Sequence, residues 1–309
     1  MARRGRSASL RDWLEYAAYR GGAALLRALP EERARGLATR AARLAFARGG
    51  RRARVALANL RIAFPELAPE EQRRIARESW VQQAWNAIDA LACPTWSDAE
   101  LRRRVELEGL EHQRAAAALG RGVLLLMPHL GSIELAWAAL PLHGPPLTVL
   151  TRPLSNRLIQ REHVQSRAAH GAEILPHRGA ALRVLRALSE GRRVAIANDQ
   201  YARRSRGIFA PFFGVRSSTS PGAALLALRS GAPLLPFYLV RLGRDRHRGV
   251  FLPPLEFERS GDHRKDVELA TARMNQVLEA LIRQHPEQWL WGHRRFRHSP
   301  DLPGDPYRG

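Results

Sequence analysis

The chain has 309 residues, 45% of them apolar, enough for one substantial core with an accessory region, and its single cysteine, Cys93, excludes an internal disulfide framework. Its formal charge of +21 attracts polyanions such as nucleic acid, anionic lipid headgroups or an acidic carrier protein. Lys265 is the only lysine among 50 basic residues, so the charge reflects an arginine-biased composition as much as any partner.

Residues 10 to about 92 read as helical. The opening "MARRGRSASLRDWLEYAAYRGGAALLRALP" is basic at its start, but Arg11, Glu15, Arg20 and Arg27 interrupt any apolar run. Neither a cleavable signal nor a membrane-spanning helix is expected from it. Leu10, Trp13, Leu14, Ala17, Gly21, Ala24, Leu25 and Ala28 recur at helical spacing with the arginines off that face. Such a helix either lies in a membrane interface or packs on the body of the protein, because periodicity does not separate the two. Pro30 with Glu31 and Glu32 opens a second helix, placing negative charge at its positive end. "RRARVALANLRIAF" reads as a third, stopped by Pro65, and Pro69 with two glutamates opens a fourth that carries Trp80 and Trp85.

From about residue 104 strands and helices alternate. "RVELEGL" reads as a strand, and "GVLLLMP" as a strand buried on both faces. "ELAWAALPL" is helical, "LTVLTRP" a strand, "SNRLIQREHVQSRAAHG" a helix, "AEILP" a strand, "GAALRVLRALSEG" a helix and "RRVAIAND" a strand. "SPGAALLALRSG" is a helix before the strand "APLLPFYLVRL". "GVFLPPLEF" reads as an edge strand with prolines near the rim, and "DVELATARMNQVLEALIRQHP" as a long helix. This order predicts an α/β fold, a central mostly parallel sheet flanked by helices, with a helical N-terminal region. The expected divisions are residues 1–100 for that region, 101–298 for the α/β catalytic domain and 299–309 for a disordered tail.

"GVLLLMPHLGSIELA" holds the sharpest candidate site. The strand should stop at Pro128, leaving His129 just past its end, at the sheet edge where ligands bind in open α/β folds. Residues five apart on an ideal helix lie roughly 140° apart around its axis and do not meet. If His129 sits in the turn before the helix, it folds back toward Glu134, whose carboxylate would fix the imidazole tautomer and raise its basicity. The alternative is a buried histidine capped by a nearby acid.

With the neighbouring segments, the chain resembles the lipid A biosynthesis acyltransferases of the lysophospholipid acyltransferase superfamily. "NLRIAFPEL", "HLGSIELA", "RPLSN", "ANDQYA", "FFGVRSSTSPGAALLA" and "PEQWLWGHRRFR" are similar to that family's signatures and fall in its order, over about residues 55 to 298. The resemblance implies a glycerol-3-phosphate acyltransferase-like fold. It also implies transfer of an acyl chain from an acyl carrier protein thioester to a hydroxyl of a lipid A precursor, at the cytoplasmic face of the inner membrane. It makes His129 the general base and Glu134 its orienting partner, with no cofactor and no metal. Arg167 and Asp199 fall where the family has functional charged residues; Arg167 is expected on an anionic part of a substrate, paired with Asp199. Arg152, after a strand, is expected to meet substrate phosphate.

The tetrahedral oxyanion needs donors, and "SSTSPG" before a helix offers Ser217, Ser218, Thr219 and Gly222; ordinary helix capping explains that stretch equally well. "WLWGHRRFR" either sets rings and cations at a lipid boundary or forms a final strand with its tryptophans in the core. The family's usual proline before the aspartate is Asn198 here, and its apolar N-terminal membrane helix is shorter and arginine-rich. A different phospholipid or glycolipid acceptor, with acyl coenzyme A or acyl carrier protein thioester as donor, is the alternative within the superfamily. A basic nucleic-acid-binding protein is a distant one, disfavoured because arginines are spread along the whole chain and no recognition motif occurs. A serine hydrolase is disfavoured because the sequence contains no G-x-S-x-G elbow.

Overall fold

The computed structural model describes residues 8–308, so the basic start at 1–7 lies outside the described residues. Five helices come first: α1 (Leu10–Ala28), α2 (Glu31–Ala47), α3 (Arg51–Ala63), α4 (Pro69–Ala92) and α5 (Asp98–Arg104). The alternating part follows as β1 (Val105–Glu108), α6 (Leu110–Ala118), β2 (Val123–Met127), α7 (Ile133–Ala139), β3 (Leu147–Thr151), α8 (Arg157–Ala168), β4 (Glu173–Pro176), α9 (Ala181–Ser189) and β5 (Arg193–Ala197). A hairpin, β6 (Ile208–Phe212) and β7 (Val215–Thr219), precedes α10 (Gly222–Ser230), β8 (Leu234–Arg241), β9 (His247–Phe251) and α11 (His263–Gln284).

Seven strands form one sheet in the order β1-β9-β8-β2-β5-β3-β4, with β8 and β9 the only antiparallel neighbours. The fold is thus α/β with a mostly parallel sheet, as expected. Side chains alternate across a strand, and β2 shows it directly. Leu124 and Leu126 join the apolar layer under α3, α9, α10 and α11, while Val123, Leu125 and Met127 join the layer under α5, α6 and α7. A strand covered on both sides must be apolar at every position, which is why "VLLLM" shows no alternation.

Three expectations are corrected. The segment expected as an edge strand is interior: β9 lies between β8 and β1 and ends before Pro253. The chain beyond it still follows β8, with Leu252 donating to the Pro236 carbonyl at 3.0 Å and Leu255 to Leu234 at 2.8 Å. The two prolines, which lack N–H groups, fall between those donors. The tail expected to be disordered is packed: the Tyr307 hydroxyl accepts from the Phe296 amide at 2.8 Å and donates to Asn59, and Asp301 pairs with Arg216 at 2.5 Å. The 289–297 segment forms no strand, yet Trp289 and Trp291 are both buried, edge to face at 4.5 Å.

Helix α1 keeps its predicted periodicity but buries only Ala23, and all eight residues of its expected apolar face are exposed. It is tied to α8 by polar contacts, Tyr16 to Glu162 at 2.9 Å and Asn156 to the Asp12 carbonyl at 2.9 Å. No helix among the described residues is long and apolar enough to cross a membrane.

Candidate active site

The parallel register of β2 and β5 assembles the site. Met127 pairs with Ala197, so two residues further along each strand His129 faces Asp199. Asp199 Oδ1 lies 2.6 Å from His129 Nδ1, and Oδ2 accepts from the His129 backbone N–H and from the Trp289 indole N–H, each at 2.7 Å. The carboxylate is 1% exposed, whereas the imidazole side chain is 26% exposed. Burial by itself would raise the Asp199 pKa, but the imidazole charge and these donors hold it down at about 2. Burial likewise opposes charge on His129, and the Asp199 carboxylate overrides it, with a smaller push from Glu134, so the imidazole pKa is raised. With Asp199 an ionised acceptor, the proton belongs on Nδ1 and the lone pair on Nε2. The Gln200 amide Nε2 lies 3.2 Å from that lone pair.

The loop carrying His129 is fixed from three directions. Gly131 has φ +59°, and a Cβ there would stand 1.9 Å from the Leu239 carbonyl oxygen, so only glycine fits. The C-terminal segment pairs along the loop: Gly131 donates to the Gln288 carbonyl at 3.0 Å and Leu290 to the His129 carbonyl at 3.2 Å. Asn86 of α4 donates to the Gly131 carbonyl at 2.7 Å. The histidine motif and "PEQWLWGH" are therefore two halves of one structure, and Trp289 reaches Asp199 from the second half.

The two carboxylates exchange the partners expected for them. Glu134 lies in the first turn of α7 and does not hydrogen-bond His129; Arg167, in the last turn of α8, grips it through Nε at 2.8 Å and Nη2 at 2.5 Å. Glu134 and Trp137 are three apart and share a helix face. The guanidinium accordingly lies over the Trp137 ring at 4.9 Å while bound to Glu134. Arg167 is thus not paired with Asp199, and the orienting carboxylate on the imidazole is Asp199.

The oxyanion candidates are also corrected. Ser217, Ser218 and Thr219 belong to β7 and are fully buried, their backbones paired with β6. Thr219 Oγ1 accepts from Arg295 at 2.6 Å and from Asn275 at 3.0 Å, and the Ser218 carbonyl accepts from Arg295 at 2.8 Å. A polar β-strand carries no apolar alternation, so the hairpin was invisible to hydrophobic patterning. Gly222 does open α10, and Asn198 ties that helix start to the site by donating to the Ser220 carbonyl at 3.2 Å. Arg152 follows β3 on the same sheet edge and is exposed. Sequence reading missed Gln200, Asn86 and the polar role of Trp289; of these, Gln200 lies inside "ANDQYA" and Trp289 inside "PEQWLWGHRRFR", whereas Asn86 belongs to neither motif.

Comparison with known proteins gives a consistent set of relatives. The family described as bacterial lipid A biosynthesis acyltransferase matches residues 3–298. A lipid A biosynthesis lauroyltransferase of Escherichia coli K12 is 31% identical over 253 residues, 81% of each chain. A lipid A biosynthesis palmitoleoyltransferase of the same organism is 30% identical over 251 residues, 81% of this chain and 80% of the relative. A phosphatidylinositol mannoside acyltransferase of Mycobacterium tuberculosis H37Rv is 31% identical over 287 residues, 90% of this chain and 86% of the relative.

Proposed function

From the premise that this chain belongs to the bacterial lipid A biosynthesis acyltransferase family, and is an acyltransferase, we propose that it moves a fatty acyl chain from an acyl carrier protein thioester to a hydroxyl of a phosphorylated glycolipid. The observation that carries this reading is the His129 imidazole, clamped at Nδ1 by buried Asp199 and left partly open at Nε2.

Nε2 takes the proton from the acceptor hydroxyl as its oxygen attacks the thioester carbon. The carbonyl oxygen becomes negative in the tetrahedral intermediate, the C–S bond then breaks, and the imidazolium returns the proton to the leaving thiolate. Asp199 keeps the tautomer and stabilises the imidazolium. Gln200 yields its place at Nε2 to the entering hydroxyl, and its N–H then stands beside the developing oxyanion. The neighbour of Nε2 is this amide, and Ser132, close in sequence, keeps its buried hydroxyl without a hydrogen bond. The attacking oxygen therefore comes from substrate, which favours direct transfer over hydrolysis through an acyl-serine. Glu134 acts through Arg167, whose Nη1 is left to meet an anionic part of a substrate, and Arg152 stands at the mouth of the same edge.

The exposed apolar face of α1, with Leu10, Trp13, Leu14 and Leu25 each more than half exposed, supports peripheral attachment at the cytoplasmic face of the inner membrane. A second acceptor class, a mannosylated phosphoinositide, is favoured by the mannoside acyltransferase relatives, which match at similar identity. The test is purified protein with acyl carrier protein and coenzyme A thioesters, both glycolipid classes, and mass spectrometry of the lipids. We expect a gain of one chain on the lipid A precursor, lost by about 10³-fold in His129→Ala. Near-normal turnover in that variant, or thioester loss with no lipid gaining a chain, overturns the reading.

A further inference from the structure

Beside the dyad lies a cavity of about 310 Å³ whose wall includes Arg51, Arg52, Arg294 and Arg297 together with Tyr201 and His293. None of the four arginines has an ion-pair partner among the described residues. Arg35, Arg74, Arg104, Arg167, Arg216 and Arg241 each have a carboxylate within 4 Å. Four unneutralised guanidiniums around one hollow repel each other, an arrangement that an anion relieves. Arg51 and Arg52 also open α3, whose Gly50 cap supplies no side-chain acceptor, so the helix start adds its own partial positive charge.

The opposite wall is braced. Arg294 lies over the Tyr307 ring at 5.6 Å, and the Tyr307 hydroxyl is held by Asn59 and Phe296. Asn59 also donates to the Trp291 and His293 carbonyls at 2.6 and 2.7 Å. His293 is spent on the Tyr201 amide, 3.0 Å away, and burial with nearby cations keeps it neutral, its pKa pushed down to about 4. Tyr201 follows Gln200, the residue against His129 Nε2, so the cavity adjoins the reacting centre.

We propose that this cavity is a phosphate subsite, holding a phosphate group of a substrate whose reacting atoms lie at His129. Its chemistry is planar guanidinium forks on phosphate oxygens. Which substrate carries the phosphate rests on the acyl-transfer reading: an acceptor sugar phosphate and the phosphopantetheine arm of the donor offer the same group. The binding of phosphate itself does not rest on that reading.

The full-length protein is titrated calorimetrically with inorganic phosphate, glucosamine 1-phosphate and 4′-phosphopantetheine. Arg294→Gln with Arg297→Gln should weaken binding by ~10-fold or more, since each lost fork is a charge-assisted contact. Arg51→Gln with Arg52→Gln, on a different element, should do the same. Arg33→Gln with Arg40→Gln, two exposed arginines of α2, is the charge-matched control and should change it by less than about 2-fold. Tighter binding of the sugar phosphate, with a raised KM for acceptor alone, assigns the site to the acceptor; the converse assigns it to the donor. Equal weakening in the control, or no weakening in both cavity variants, overturns the subsite. Phosphate binding that behaves as expected in a protein that transfers no acyl chain overturns the proposed reaction and leaves the subsite standing.

Discussion

Two buried aspartates in this chain each stand beside a histidine, and the two pairs do opposite things. Asp199 has only neutral donors besides the imidazole, a backbone N–H and an indole N–H, so its negative charge acts on His129 and raises the imidazole pKa. Asp89 in α4 already binds Arg35 at 2.7 Å and Arg241 at 2.5 Å, and His247 Nε2 lies 3.5 Å away. There burial dominates, and the added repulsion of both arginines keeps the His247 pKa lowered despite the aspartate. Asp89 itself is driven well below the usual carboxylate range, its burial outweighed by His247 and the two guanidiniums. A carboxylate polarises a histidine only when nothing else has neutralised it. The first pair lies at a sheet edge with a partly open ring, and the second is sealed between α2, α4 and the sheet, where it binds the helical region to the strands.

The largest expected effect breaks the sealed pair. Asp89→Ala strips buried Arg241 of its carboxylate and leaves buried Arg35 with Glu31 alone, and should lower unfolding free energy by about 3–5 kcal/mol, read by denaturant titration. A loss below ~1 kcal/mol would show that water reaches the cluster.

Asp199→Asn should cost less stability than Asp89→Ala but reduce kcat by about 10²-fold or more, because the tautomer and the imidazolium lose their support. The pH profile sharpens the point. The His129 pKa is raised in the folded state, so its ion pair stabilises the fold below the ordinary histidine pKa and that contribution fades as pH rises through the raised value. Transfer needs the neutral ring, so activity climbs over the same interval. In Asp199→Asn the acid limb should move to lower pH, since burial is then opposed only by the smaller push from Glu134; an unmoved limb would mean that another group titrates there. The Asp199 share of stability, from a pKa held at about 2, is present above the ordinary carboxylate pKa and is lost as pH falls toward 2.

Glu134→Gln should lower kcat/KM by ~10-fold, mostly through KM, as Arg167 loses its fork but keeps the Trp137 face. A fall in kcat with KM unchanged would put Glu134 in the chemistry directly. The smallest change is His247→Gln. It should shift stability by about 1 kcal/mol and leave the activity–pH profile where it was, because a neutral, sealed ring has no part in proton transfer.

Much of the fold was legible because local patterns suffice for it. Pro30 and Pro69 with their following glutamates marked helix starts, and the unbroken "VLLLM" marked a strand covered on both faces. The hairpin β6–β7 escaped because its inward residues include serines and threonine, whose partners, Arg295 and Asn275, lie more than fifty residues away. His129 could be chosen from its place at a strand end, and Asp199 sat at the end of another strand. That these two strands are neighbours in matching register is a fact of sheet order, which no segment of β2 or β5 encodes alone.

By itself, then, the sequence determined the elements, the basic surface and the imidazole at the sheet edge, since each follows from residues near in the chain. Only the tertiary structure decided which carboxylate serves that imidazole and which arginines go unpaired. The reason is the range of the interactions: the nearest acid in sequence, Glu134, is turned by its helix toward α8 and claimed there by Arg167, and Asp199 arrives from seventy residues away with its charge unspent.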